Sequence, residues 1–65
     1  MGLKEYRVQR GLTQAEVSAK AGIRQSTISM YEKGNRIPNI ENCSKLARAY
    51  GQSIDFIFSL LDISK

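Results

Sequence analysis

The chain has 65 residues, enough for one small domain with little core to spare, and its 42% hydrophobic content belongs to a folded rather than a disordered protein. Ten Lys and Arg stand against six Asp and Glu, and the excess lies in residues 1–53, which carry +5 while residues 54–65 carry −1; a basic body of this kind suits a polyanionic partner. The lack of histidine excludes Cys/His zinc sites and His-dependent triads, the lone Cys43 excludes an internal disulfide and fits a reducing compartment, and no apolar run has the length of a signal peptide or a membrane span.

Gly11, Gly22, Gly34 and Gly51 divide the chain into helix-length pieces, and no stretch alternates strictly enough to predict a strand. The first piece, about 2–10, turns Leu3 and Tyr6 inward. Thr13 caps the second helix and Glu16 completes a capping box with it. That helix runs to Ala21, where Gly22 supplies a left-handed turn residue. Ala15, Ser18, Ala19 and Ala21 are small enough for a close helix crossing, and Ile23 plugs the corner. The third piece, about 24–33, turns Ile28 and Tyr31 inward and ends at Gly34. The loop GNRIP follows with Arg36. Asn39 caps the fourth helix, about 40–50, whose inward residues are Ile40, Cys43, Leu46, Ala47 and Tyr50. Cys43 reads as a small buried hydrophobe rather than a reactive thiol. Ser53 caps the fifth helix, about 54–62, with Asp55 in the first turn where the helix dipole favours an anion.

The stretch GLTQAEVSAKAGIRQSTISMYEKGNRIPN, residues 11–39, resembles the helix-turn-helix of the Cro and lambda-repressor-like, XRE-type family. The resemblance runs over about residues 3–58. It is carried by Gly-Leu-Thr-Gln before the motif, Gly22 at its turn, Ile23 and Ile28, Tyr-Glu-Lys-Gly at its end, Pro38 and the KLARAYG helix. Ser18 departs from the usual Ala, and its hydroxyl is expected to bond back to its own helix. Met30 departs at a position that is often polar.

The resemblance implies an all-α, compact five-helix domain of the lambda-repressor type, filling residues 1–65, that binds double-stranded DNA. Its second motif helix would lie in the major groove with Gln25, Ser26, Ser29 and Met30 at the base edges and Arg24 reaching a guanine or a phosphate. Helical counting agrees independently: with 28, 31 and 32 inward, residues 25, 26, 29, 30 and 33 form the outward stripe. Thr13 and Gln14 at a helix start, and Lys33, Asn35 and Arg36 after the reading helix, would hold phosphates, with Arg10 a lesser candidate. Family members often pair the positions of Arg7 and Glu32 as a partly buried ion pair. On the fifth helix, Ile54, Ile57, Phe58 and Leu61 suffice to seal the core, which leaves Phe56, Leu60 and Ile63, within about 54–63, as a second apolar stripe for a homodimer.

The implied function is a cytoplasmic transcriptional regulator, a repressor of the phage or restriction-controller type acting as a homodimer on a near-palindromic operator. The alternative is an antitoxin-like protein that binds a toxin and regulates its own operon. No catalytic constellation, cofactor, metal, membrane or small-molecule effector is implied by any residue pattern.

Overall fold

The structure is a computed structural model and describes residues 2–61. Its helices span Leu3–Gln9 (α1), Gln14–Ala21 (α2), Gln25–Lys33 (α3), Ile40–Tyr50 (α4) and Ile54–Leu60 (α5), with no strand among the described residues. Local chemistry sets these boundaries. Thr13 Oγ accepts from the Glu16 N–H at 3.1 Å and Glu16 Oε1 accepts from the Thr13 N–H at 2.8 Å, a reciprocal box. The backbone hydrogen bond from Thr13 holds the Glu16 carboxyl below its ordinary value. Asn39 Oδ1 accepts from the Asn42 N–H at 2.8 Å, and Ser53 Oγ from the Phe56 N–H at 3.1 Å. At the other end of α2, Gly22 takes φ 70°, a left-handed conformation that a side chain resists.

Every helix contributes to one core. Val17 from α2, Ile28 from α3, Cys43 and Leu46 from α4 and Ile57 from α5 are almost wholly buried, and Leu3 and Tyr6 of α1 close over them. The α4 helix packs against α2 and α5, α2 against α3, and α1 against α3 and α5. Truncating a side chain as enclosed as Leu46 to Ala costs about 2–5 kcal/mol. Cys43 fills the same space, and burial pushes its thiol above the ordinary range, so it serves as packing.

A second cluster joins the two ends of the chain. The Tyr6 ring meets Tyr50 and Phe56 edge-on, each at 5.0 Å between centroids. Tyr6 Oη accepts from Arg10 Nη1 at 2.7 Å and from Gln52 Nε2 at 3.2 Å, and the same Arg10 nitrogen donates to Tyr50 O. Arg10 Nη1 is thus tied to α1 and the end of α4, while the residue itself is exposed. Burial pushes the Tyr50 hydroxyl up to about 12.

Several inward or outward assignments differ from the sequence reading. Ala15 and Ala19, expected at the helix crossing, are exposed, and Val17 and Ala21 are the buried residues of α2. Ile40 continues the row of Cys43 and Ala47 but is 64% exposed. It is the first residue of α4, and Cβ bonds tilt toward a helix N-terminus, so its side chain overhangs the edge of the core. Leu60 is 5% exposed and belongs to the core with Ile57, three residues earlier. Phe56 is half-buried on Tyr6. Because α5 meets both α1 and α4, it buries residues on more than one side, and neither Phe56 nor Leu60 stands free as a separate stripe. Ile63 lies outside the described residues.

Candidate nucleic-acid interface

The corner between α2 and α3 is held by Ser18. Its carbonyl accepts from the N–H groups of Gly22 at 2.9 Å and Ile23 at 3.3 Å, and its hydroxyl donates to Ile23 O. The hydroxyl therefore bridges the turn instead of bonding back within its own helix. An alanine at this position would leave that bridge unmade. Ile23 and Ile28 fill the inside of the corner.

Behind α3 lies an ion pair with more partners than two residues. Arg7 Nε donates to Glu32 Oε2 at 2.7 Å and Arg7 Nη2 to Glu32 Oε1 at 3.2 Å, a two-pronged contact. Arg7 Nη1 donates to Leu12 O at 2.8 Å, and Gln14 Nε2 donates to Glu32 Oε1 at 3.1 Å. The side chains of Arg7 and Glu32 are 11% and 3% exposed. The hydrogen bond to Glu32 raises the Arg7 pKa, so the guanidinium stays charged. One cluster thus joins α1, the loop after it, the start of α2 and the end of α3. Tyr31, whose Oη accepts from Asn42 Nδ2 at 2.8 Å, ties α3 to α4.

With Ile28, Tyr31 and Glu32 held inward, the opposite side of α3 is open. Gln25, Ser26 and Lys33 are exposed and Ser29 and Met30 half-exposed, with Arg24 exposed at the helix start. After Gly34, Asn35 and Arg36 are also exposed. These eight side chains therefore run from the start of α3 along its open side to just past its end. At the start of α2, the capping box engages the Thr13 and Glu16 amides, and Val17 N–H donates to Thr13 O. That leaves the Gln14 and Ala15 amides as the open donors of this end. Thr13 can offer its hydroxyl proton, not its amide. The start of α3 is unlike the other capped starts: Arg24 occupies the cap position and no side chain accepts from its first amides. Arginine has no acceptor atom, so the sequence itself carried this signal.

Residues 3–57 match the family model described as helix-turn-helix. The chain belongs to the XRE-type helix-turn-helix family. It is similar to an uncharacterized HTH-type transcriptional regulator of Archaeoglobus fulgidus, 36% identical over 86% of this chain and 80% of that protein. It is 40% identical, over 80% of its own length, to the cryptic phage CTXphi transcriptional repressor RstR of Vibrio cholerae, and 35% identical, over 97% of its length, to the HTH-type transcriptional regulator ImmR of Bacillus subtilis. The alignments take in 47% of RstR and 50% of ImmR, so the chain spans about half of each. Among solved structures none matches. The chain is a DNA-binding helix-turn-helix transcriptional regulator. Among the described residues no helix is long and apolar enough to cross a membrane.

Proposed function

We propose that this regulator is a sequence-specific repressor of the phage or restriction-controller kind, working in the cytoplasm as a homodimer on a near-palindromic operator, with residues 1–65 serving as one DNA-binding domain. The observation that carries the reading is the open stripe of α3, made of short or flexible polar side chains on a helix braced from behind by Glu32 and Tyr31. In the major groove, Gln25 bonds the N6 and N7 edge of an adenine, Ser26 and Ser29 tolerate several bases, and Met30 covers a thymine methyl. Arg24 reaches a guanine or a phosphate. Thr13, Gln14, Lys33, Asn35 and Arg36 hold the backbone on either side.

A single reading helix spans too few bases for useful selection, which favours two copies placed about 34 Å apart on successive major grooves. With Leu60 in the core and Phe56 packed on Tyr6, the exposed parts of Phe58 and Leu61, two residues expected to seal the core, are the apolar surface that α5 offers to a second copy. Selection of bound duplexes from a random pool tests the whole reading. It should return an inverted repeat whose half-sites lie one helical turn apart, with adenine at a fixed position in each. A pool that converges on no sequence would refute it.

A further inference from the structure

We infer that Glu32 is a positioning residue for the grip on the DNA backbone: through Gln14 it fixes the start of α2 against the end of the reading helix, so that the phosphate anchor and the base-reading stripe are set by one carboxylate. The inference rests on the DNA-binding reading above.

The chemistry of the contact fixes its direction. A carboxylate facing the guanidinium of Arg7 accepts, so the Gln14 carboxamide presents nitrogen to it, and the 3.1 Å contact is from Nε2. This engages one N–H of that nitrogen and leaves the second open. The open N–H belongs to the same residue as one of the two open backbone donors of α2. A free glutamine on a surface helix samples many rotamers, and holding it in one geometry before DNA arrives removes an ordering cost from binding. The carboxylate that holds it is itself held by the two prongs from Arg7 and is 3% exposed, so it is a rigid support. Glu32 sits 18 residues from Gln14, on the helix whose next residue, Lys33, is a phosphate candidate. A shift of α3 would therefore drag the Gln14 amide with it. Arg7 neutralises Glu32, which lets a carboxylate stand beside a polyanion without repelling it.

The test is a double-mutant cycle on the whole chain, read by binding to its selected duplex at a temperature where circular dichroism shows every variant folded. Gln14→Ala should weaken binding about 10–100-fold, since it removes a hydrogen bond to a charged phosphate. Arg7→Met with Glu32→Met replaces the ion pair by apolar groups of similar volume, a change that folded proteins often accept. In that background the Gln14 side chain has lost its support. Binding should start several-fold weaker, and Gln14→Ala should then cost less than about 2-fold further. The salt slope should stay the same throughout the cycle, since neither Gln14 nor the net-neutral Arg7–Glu32 pair neutralises a phosphate. If the double-Met variant does not fold, the same cycle with Glu32→Gln replaces it: a neutral acceptor holds Gln14 less firmly, and the Gln14→Ala penalty should shrink. Equal Gln14→Ala penalties in both backgrounds would overturn the inference while leaving the DNA-binding reading intact. A wild-type chain that binds no duplex would remove both.

Discussion

Arg24→Ser should make the protein more stable and a worse DNA binder at once. Three helices begin on a side chain that accepts a hydrogen bond from the first turn, Thr13, Asn39 and Ser53, whereas α3 begins on Arg24 with no such bond. The Arg24 backbone is already extended, with φ −57° and ψ 142°, so a serine needs little rearrangement to place its Oγ on the amides two or three residues ahead. A cap of this kind is worth about 0.5–2 kcal/mol. The ψ of 142° falls short of the 160–176° of the other three caps, which puts the gain in the lower half of that range. For a domain of this size, about 1 kcal/mol raises the melting temperature by roughly 4–8 °C. The same substitution removes a cation from the edge of the reading stripe. If Arg24 holds a phosphate, the log–log salt slope should flatten by about 0.9 per subunit, about 1.8 for the dimer. If it reads a guanine, specificity at one position should relax by about 1–3 kcal/mol. Thermal melts and fluorescence-anisotropy titrations at several salt concentrations measure both sides. Arg24→Ala is the control, losing the DNA contact without gaining the cap. A lower melting temperature for Arg24→Ser would refute the capping argument. A higher one with unchanged DNA binding would refute the role of Arg24 on DNA.

Lys33→Ala and Arg36→Ala should each weaken binding to every duplex alike and flatten a salt slope of roughly −5 to −7 for the dimer; a change of preferred bases instead would reassign them. Gln25→Ala should cost about 1–3 kcal/mol of discrimination at one base pair in a binding selection, with nonspecific affinity unmoved. Gly22→Ala meets no atom within 4 Å of the added Cβ, so only the left-handed φ of 70° resists it, and urea melts should show a loss of about 1–2 kcal/mol. The buried Tyr50 hydroxyl, pushed up to about 12, keeps its proton in the folded chain after the unfolded chain has lost it. Its contribution is therefore complete below pH 10 and is lost as the pH rises toward 12, and Tyr50→Phe should flatten that alkaline decline in urea midpoints.

How much could be read beforehand follows from the range over which each feature is determined. Helix ends were legible to within two residues because Thr13, Gly22, Asn39, Gly51 and Ser53 act on amides and carbonyls within their own turn. Ile28 and Tyr31 were legible because a nine-residue helix on a core has an unambiguous inside. Ile40 was misread because helical periodicity does not say where the core stops along the axis. The division of α5 was misread because Tyr6 comes from the opposite end of the chain to fill the side that Phe56 would otherwise expose. The Gln14–Glu32 contact spans 18 residues and Arg10–Tyr50 spans 40, and no local pattern signals either. Ser18 was recognised as a departure, but its partner across the turn depends on where Gly22 sends the chain.

The aromatic cluster at the ends of the chain also has a spectroscopic use. The protein has no tryptophan, so its near-ultraviolet circular dichroism is dominated by tyrosine. Tyr6 and Tyr50 sit edge-on in contact, and Tyr6 is hydrogen-bonded by two side chains, while Tyr31 lies apart on α3. Two of the three tyrosines therefore report the docking of α1 on α4 and α5, and a Tyr31→Phe variant isolates their signal, whereas the far-ultraviolet signal reports all the helices together. Melting followed at both wavelengths asks whether the motif and the clasp that joins the chain ends come apart as one unit. Coincident curves would mean that DNA bound to α3 stabilises the distant tyrosines as strongly as the helix it touches.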